Sequence, residues 1–366
     1  MTNFHNMPAV LLLQDGTVFK GVAIGKIGTT LGEICFNTGA TGYQEVFTDP
    51  SYYGQIMVAT HPHIGTYGIK EDESQSERIQ IKGLVCKDFS EGYSRHIAQL
   101  STQEFFESEN LIGISGIDTR SLVRHIRDKG AMNAIISSEN LNIDELKSQL
   151  EDFSENQDFE YASKVTTSKV YYYGDEDAST RVAVLDLGVK RNILKNLDDR
   201  QVYMKVFPAK TTYEEMKKWG ADGYLISNGP GDPSTLDYAV ETVKEILADD
   251  KPLFGICLGH QVLALANGVK TEKMLNGHRG CNQPVKNLLT NKSEITSQNH
   301  GFTVSREQVE SNPNLEITHI NLNDGTVEGI RVKDKNAFSI QYHPEAGPGP
   351  HDSKYLFDQF IAMIKG

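Results

Sequence analysis

A cysteine stands between two glycines in Gly255-Ile256-Cys257-Leu258-Gly259, after the apolar run PLFGI and before LGHQVLALANG. A lone cysteine at a strand end is ordinarily a small buried hydrophobe. Its setting here favours chemistry. Val262, Leu263, Leu265 and Ala266 fit a helix ended by Asn267-Gly268, so Cys257 falls on a strand-to-helix turn of the nucleophile-elbow kind, with sulfur in place of oxygen. Such a turn strains its central residue, and flanking side chains would collide, which is why both flanks are glycine. The helix start beyond Cys257 offers free N–H groups and a positive dipole end, suited to a thiolate and to an oxyanion.

A thiol also needs a base. Of the eleven histidines, His343 in SIQYHPEAG follows an apolar strand, is fixed by Pro344 and has Glu345 two residues on. At a strand end, His-x-Glu can bring its carboxylate round to the imidazole. That makes Cys257 a nucleophile, His343 its base and Glu345 the orienting group. A third feature is SNGPGDP, residues 227–233, after the strand DGYLISNG. Its Gly-Pro-Gly loop bares backbone N–H and C=O groups where ligands sit in parallel sheets; alone, it reads equally well as an ordinary β-turn.

These residues need a scaffold that brings strand ends together. RVAVLDLG, VYMKVFP, DGYLISNG and KPLFGIC read as strands, with helices in VKRNILKNLDDR, TTYEEMKKWG and LDYAVETVKEILADD between them. The alternation predicts an α/β domain over residues 181–366, a mostly parallel sheet with helices on both faces. Short strands follow from Val269 to about Pro344, and SKYLFDQFIAMIKG closes as a helix. The first part differs: AVLLLQDGTVFKGVAIG is a hairpin around Asp-Gly, and TRSLVRHIRDKG a helix, predicting a separate α+β or β-rich domain over residues 1–150. Between them lie the polar helix IDELKSQLEDFSE and an acidic, serine-rich stretch, so residues 151–180 are expected to be a linker.

Composition narrows the function. With 36 basic against 49 acidic residues in 366, the net charge of −13 argues against nucleic acid or anionic membrane as the main partner. No apolar stretch approaches the roughly 20 residues of a membrane span, and MTNFHNMPAV lacks a secretory pattern, so the expected compartment is the cytoplasm. Cys35, Cys86, Cys257 and Cys281 are scattered and expected as free thiols. No G-x-G-x-x-G or G-x-x-x-x-G-K-[ST] pattern occurs, so neither nucleotide nor other cofactor is expected in this chain. His61 and His63 share a strand face but lack further ligands nearby, and no metal is expected there. His260 reads as a helix residue packing under the turn.

GICLGHQ, SNGPGDP and QYHPEA, in this order on this strand pattern, resemble a class I glutamine amidotransferase domain over about residues 180–366. The resemblance implies a flavodoxin-like sheet and hydrolysis of glutamine to glutamate and ammonia through a γ-glutamyl thioester on Cys257. It places the oxyanion hole at the backbone N–H groups of Leu258 and of Gly229 or its neighbour. It implies a glutamine site of Gly229, Gly231, Leu258, Gln261, Asn299, Gly301 and Phe302. EICFNTGATGYQEVFTDPSYYGQ, HPHIG, GIDTR and RDKGAMN closely resemble the small-chain family of glutamine-hydrolysing carbamoyl phosphate synthetases, extending the likeness to nearly the whole sequence. By that analogy Ser51 reaches across to the bound glutamine. The resemblance further implies that ammonia passes to a large chain that binds ATP, Mg and bicarbonate and makes carbamoyl phosphate for arginine and pyrimidine synthesis, in a heterodimer or a higher assembly of such pairs. HRGCNQPV departs from the expected loop at Arg279 and Cys281, which puts the shape of the pocket rim in question. The competing readings are a stand-alone γ-glutamyl or peptide hydrolase and a catalytically silent scaffold subunit.

Overall fold

The Asp15-Gly16 turn closes the expected hairpin: β1 (Pro8–Leu13) and β2 (Val18–Gly25) pair antiparallel from Pro8↔Val22 to Leu12↔Val18, with Gly16 at φ 87. The computed structural model describes residues 7–156 and 158–366 and divides into two units between Asp158 and Phe159. In the first unit the strands continue as β3 (Thr29–Asn37), β4 (Gln55–Ala59), β5 (His63–Ile64), β6 (Gly83–Val85), β7 (Asp88–Phe89), β8 (Ile112–Ser115) and β9 (Met132–Ser137). Seven of them close into a barrel in the order β1-β2-β8-β6-β4-β3-β9, which leaves no open edge, while β5 and β7 form a short pair of their own. β1 is apolar throughout because both its faces are covered. Leu11 and Leu13 join a cluster with Leu122 and Ile126 of the helix Thr119–Lys129; Val10 and Leu12 pack against Leu146 and Leu150 of the helix Ile143–Glu155.

The stretch 151–180 is not a linker of one piece. Its first residues complete the helix Ile143–Glu155, and Tyr171–Tyr173 form β10, an edge strand paired antiparallel with β12. The helix, read from the sequence as polar, buries only Leu146 and Leu150, and the three tyrosines of β10 are half-buried or exposed and carry no aliphatic pattern.

In the second unit the strands are β11 (Thr180–Asp186), β12 (Val202–Pro208), β13 (Gly223–Ile226), β14 (Leu253–Ile256), β15 (Thr271–Asn287), β16 (Lys292–Val304), β17 (Leu315–Asn321), β18 (Val327–Val332) and β19 (Ala337–Ile340). With β10 they make one sheet ordered β10-β12-β11-β13-β14-β19-β18-β17-β15-β16. The segment from β12 to β19 is parallel and the rest antiparallel, so the sheet is mixed, not mostly parallel. The long hairpin of β15 and β16 escapes sequence reading because it is largely polar and its register shifts between Lys273 and His278 and between Gly280 and Gln283.

Helices cover both faces of the parallel core. Along β11, Val182 and Val184 join the core with the helices Arg191–Asp198 and Tyr355–Lys365. Ala183 and Leu185 join the one with Asp237–Ala248 and Leu258–Ala266. Because both faces are buried, these strands read as continuous apolar runs. Numbered along the chain, the parallel strands lie in the order 2-1-3-4-5, and the loops after β11, β13, β14 and β19 leave at the same carboxyl edge of the sheet.

Candidate active site

Cys257 follows β14 directly and caps the helix Leu258–Ala266 with φ 53 and ψ −100, a left-handed conformation that costs a residue with a Cβ about 1–3 kcal/mol. Its N–H donates to the Ile340 carbonyl at 2.8 Å and its own carbonyl accepts from His260 N at 3.0 Å, so the strain is held from both sides. The flanking glycines are required by close backbone approach. A Cβ on Gly259 would lie 2.2 Å from the Ile226 carbonyl oxygen, and one on Gly255 would lie 2.6 Å from the carbonyl oxygen of Gly259. Neither neighbour is a side chain that can swing away. Gly259→Ala is therefore expected to lower stability by about 3 kcal/mol or more and to remove activity with it; an unchanged denaturation midpoint would show that the turn opens to admit the methyl.

His343 leaves β19 two residues beyond Gln341, and its N–H donates to the Ser297 carbonyl at 2.9 Å. Nδ1 lies 2.7 Å from Glu345 Oε1, and the same oxygen accepts from Lys190 Nζ at 2.8 Å. All three side chains are at most 2 % exposed. Burial alone would press the imidazole down, but Glu345 and Cys257 outweigh both burial and the opposing Lys190 charge, pushing His343 up to about 10. Burial would raise Glu345, yet Lys190 and His343 hold it at about 2. With Nδ1 taken, Nε2 is the nitrogen left for the sulfur; Cys257 is close enough to raise the basicity of the ring, although Nε2 makes no hydrogen bond of ordinary geometry.

Lys190, which the sequence reading passed over, lies in the loop after β11. Asp186 shapes that loop by accepting from Gly188 N at 2.9 Å, Val189 N at 2.7 Å and Thr167 N at 2.7 Å. Lys190 N donates to Asn228 Oδ1 at 3.2 Å, and Nζ also donates to the Ala346 carbonyl at 2.9 Å. Ala346 itself has φ 58. The only clue in the sequence was a lysine just beyond a buried strand end, and its partner lies 155 residues further on.

The expected glutamine-site residues of the second unit lie on the loop after β13, in the elbow helix and on β16. Gly229 lies so close to the first loop that a Cβ would meet the Leu187 carbonyl oxygen at 2.1 Å and Leu258 Cδ2 at 2.8 Å, which puts it beside the start of the elbow helix. Gly231 takes φ 95, and a Cβ there would sit 2.4 Å from the Phe159 carbonyl oxygen. Asn299, Gly301 and Phe302 lie on β16, where the Asn299 carbonyl accepts from the Cys257 thiol at 3.7 Å. Gln261 donates from Nε2 to the Phe302 carbonyl and to Gln341 Oε1, both at 3.0 Å, and Gln341 Nε2 donates to Cys257 Sγ at 3.6 Å. The Gln261 side chain thus reaches the thiol through Gln341, a residue that sequence reading did not single out. Ser51 belongs to the first unit, on the 3-10 turn Pro50–Tyr52, where its N–H donates to Asp49 Oδ1 at 2.9 Å.

The other histidines divide by surroundings. His260 is fully buried with Nδ1 2.9 Å from Ser339 Oγ, and burial holds it down at about 3, so it is neutral and packs under the turn. His300 has both ring nitrogens engaged, Nδ1 2.8 Å from the Phe302 carbonyl and Nε2 2.9 Å from Gln298 Oε1, and burial and neighbouring His278 hold it well below its ordinary value. The divergent segment is not a loop but part of β15: Arg279 there is 4 % exposed and donates to the Asn276 carbonyl at 2.7 Å, and Cys281 donates to the Pro348 carbonyl at 3.4 Å. A strained cysteine, an imidazole paired with an ionised carboxylate and a helix N-terminus make a set suited to acyl transfer through a thioester.

Residues 183–363 match the family described as Glutamine amidotransferase class-I, and residues 11–136 the family Carbamoyl-phosphate synthase small chain, CPSase domain. The sequence is 46% identical over 363 residues to the carbamoyl phosphate synthase small chain of Chlorobaculum tepidum, covering 99% of each chain. It is also 46% identical to that of Buchnera aphidicola, over 97% of this chain and 96% of the relative. The match to that of Clostridium acetobutylicum is 44%, over 98% and 100%.

Proposed function

Since this chain belongs to the carbamoyl-phosphate synthase small-chain family, with its class I glutamine amidotransferase domain, we propose that Cys257, His343 and Glu345 are the residues with which it hydrolyses glutamine. The chain is the glutaminase subunit, supplying ammonia for carbamoyl phosphate synthesis. The observation that carries the residue assignment is the meeting of a strained, positive-φ cysteine with a buried histidine whose other nitrogen is 2.7 Å from a carboxylate.

In the first step Cys257 Sγ attacks the γ-carboxamide carbon of glutamine as its proton passes to His343 Nε2. The oxyanion of the tetrahedral intermediate faces the backbone N–H groups of Leu258 and Gly229, at the positive end of the elbow helix. The imidazolium returns the proton to the leaving nitrogen, ammonia departs and a γ-glutamyl thioester remains. Water then attacks the thioester with His343 as base, releasing glutamate and restoring the thiol. Glu345 keeps Nδ1 protonated and the ring in register throughout. Gly229, Gly231, Leu258, Gln261, Asn299, Gly301 and Phe302 line the glutamine site in this assignment, and the family resemblance assigns Ser51 to glutamine as well.

The reading extends to the assembly. A large partner chain holds ATP and Mg, receives the ammonia and makes carbamoyl phosphate from bicarbonate for arginine and pyrimidine synthesis; this chain needs no cofactor. A heterodimer, or a larger set of such pairs, in the cytoplasm is the form we assign, and among the described residues no helix is long and apolar enough to cross a membrane. The strand order 2-1-3-4-5 supports a flavodoxin-like core, extended here by antiparallel strands.

Incubation of the purified chain with glutamine and with γ-glutamyl peptides tests the substrate. Ammonia release from glutamine is expected, slow for the chain alone and faster with the large chain present. Preferential cleavage of the peptides, or a rate indifferent to the partner, would overturn the assignment.

A further inference from the structure

A buried carboxylate oxygen without a partner is costly, so a fully buried glutamate with one bare oxygen points to a cation that faces it. Glu328, on β18, is such a residue: its Oε1 accepts from Asn321 Nδ2 at 3.1 Å, while its Oε2 has no hydrogen-bond partner. Two histidines flank it. His278 on β15 and His300 on β16 are paired across the hairpin beside a shift of its register, with ring centroids 5.0 Å apart. A ring nitrogen of each and a carboxylate oxygen of Glu328 all lie within 4.8 Å of one another.

We propose that His278, His300 and Glu328 form a zinc site that ties β15, β16 and β18 together. Two imidazoles and a carboxylate are a ligand set that zinc takes, with a fourth position left over. Each ring is already held as a metal ligand is held, by an outer partner on one nitrogen. His278 Nε2 lies 2.8 Å from Asp324 Oδ2, which leaves Nδ1 facing Glu328 Oε1 at 3.5 Å, too long for a good hydrogen bond. His300 Nδ1 lies 2.8 Å from the Phe302 carbonyl and must donate there, so the lone pair of the neutral ring falls on Nε2. Nε2 nevertheless stands 2.9 Å from Gln298 Oε1, whose amide nitrogen donates to Thr296 Oγ1 at 3.2 Å. Two acceptors thus face each other. Reversing the amide only moves the conflict to Thr296, whose hydroxyl proton already goes to the Gln283 carbonyl at 2.9 Å. A cation beside both atoms removes it, with Gln298 Oε1 as the fourth ligand.

The ion takes no part in the chemistry of glutamine, and none of its ligands belongs to the triad, so the inference stands apart from that assignment. It does sit on the strand that serves the thiol. Asn299, next to His300, offers its carbonyl to Cys257, and the Phe302 carbonyl that orients His300 also accepts from Gln261. Loaded with zinc, the site holds β16 where its pairing with β15 is irregular.

The experiment uses the full-length chain carrying Cys257→Ala, so that the nucleophile cannot bind metal, stripped with a chelator that is then removed. Titrated with zinc alone, it is expected to bind one ion per chain. Its Tm is expected to rise by about 5–10 °C at about a hundredfold excess of free zinc over the dissociation constant. Cobalt(II) in place of zinc gives the visible bands of a four-coordinate site without the near-ultraviolet band of a thiolate ligand, which separates this site from Cys281 and the other thiols. Asp324→Asn, which alters only an outer partner, weakens zinc binding by about 10- to 100-fold, and Glu328→Gln weakens it further. If Glu328→Gln does not fold, His278→Gln is read in its place. No binding at micromolar zinc, a cobalt spectrum with the thiolate band, or an affinity unchanged by the loss of a ligand would overturn the proposal.

Discussion

Replacing Cys257 with alanine reduces glutamine hydrolysis by roughly 10⁴-fold or more, while synthesis driven by added ammonium salts through the assembled enzyme continues. The size follows from losing the nucleophile itself, since removing a triad nucleophile typically costs several orders of magnitude in kcat. The fold should survive, because alanine fits the space of Cys257 and keeps the Cys257 N–H bond to Ile340. It does not relieve the backbone. Cys257→Gly, which accepts φ 53 without penalty, is expected to be about 1 kcal/mol more stable than Cys257→Ala and equally inactive. Ammonia release by the alanine variant at a rate near wild type would sink the nucleophile assignment.

The second large effect is expected from Glu345→Gln. The amide keeps the shape but removes the charge that makes His343 basic, and it allows the ring to take the wrong tautomer, a change that costs roughly 10³- to 10⁴-fold in kcat where a triad carboxylate is so replaced. Stability suffers too. Lys190 is left as a buried charge without its counterpart, and breaking such a pair by removing one member costs about 3–5 kcal/mol.

The pH dependence gives the sign of that loss. Glu345 is lowered to about 2 from 4.5, so its contribution is complete above about 4.5 and is lost as pH falls toward 2. His343 is raised to about 10 from 6.5, so its contribution is complete below about 6.5 and is lost as pH rises toward 10. The stability gap between wild type and Glu345→Gln should therefore be widest near pH 5–6 and narrow steadily on the alkaline side. Denaturant titrations from pH 5 to pH 9.5 measure it, and a gap that widens with pH would show that the pair does not carry the charges assigned to it.

Much of the catalytic half was legible because its constraints are local. Two glycines around a cysteine at a strand end imply an elbow, and in the fold backbone oxygens lie 2.2 Å and 2.6 Å from where their side chains would begin. The apolar strands from β11 to β14 were legible because both faces of a parallel core must be buried. The hairpin of β15 and β16 was less so, since its polar pattern and shifted register carry no clear period. The three tyrosines of β10 read as connection because an exposed edge strand needs no aliphatic side chains.

Lys190 and Gln341 mark the limit of that legibility. Each reaches its partner in the triad only when separate strand ends are laid side by side, since Lys190 meets a carboxylate 155 residues away and Gln341 meets a thiol 84 residues away. Residue type and spacing along the chain settle which backbone turns are possible and which side chains are chemically able. The sum of charges in a buried site, and so which proton is free to move, depends on contacts across the sheet. Only the packed order of β11, β13, β14 and β19 sets those contacts, because electrostatic energy follows distance in space and burial, not distance in sequence.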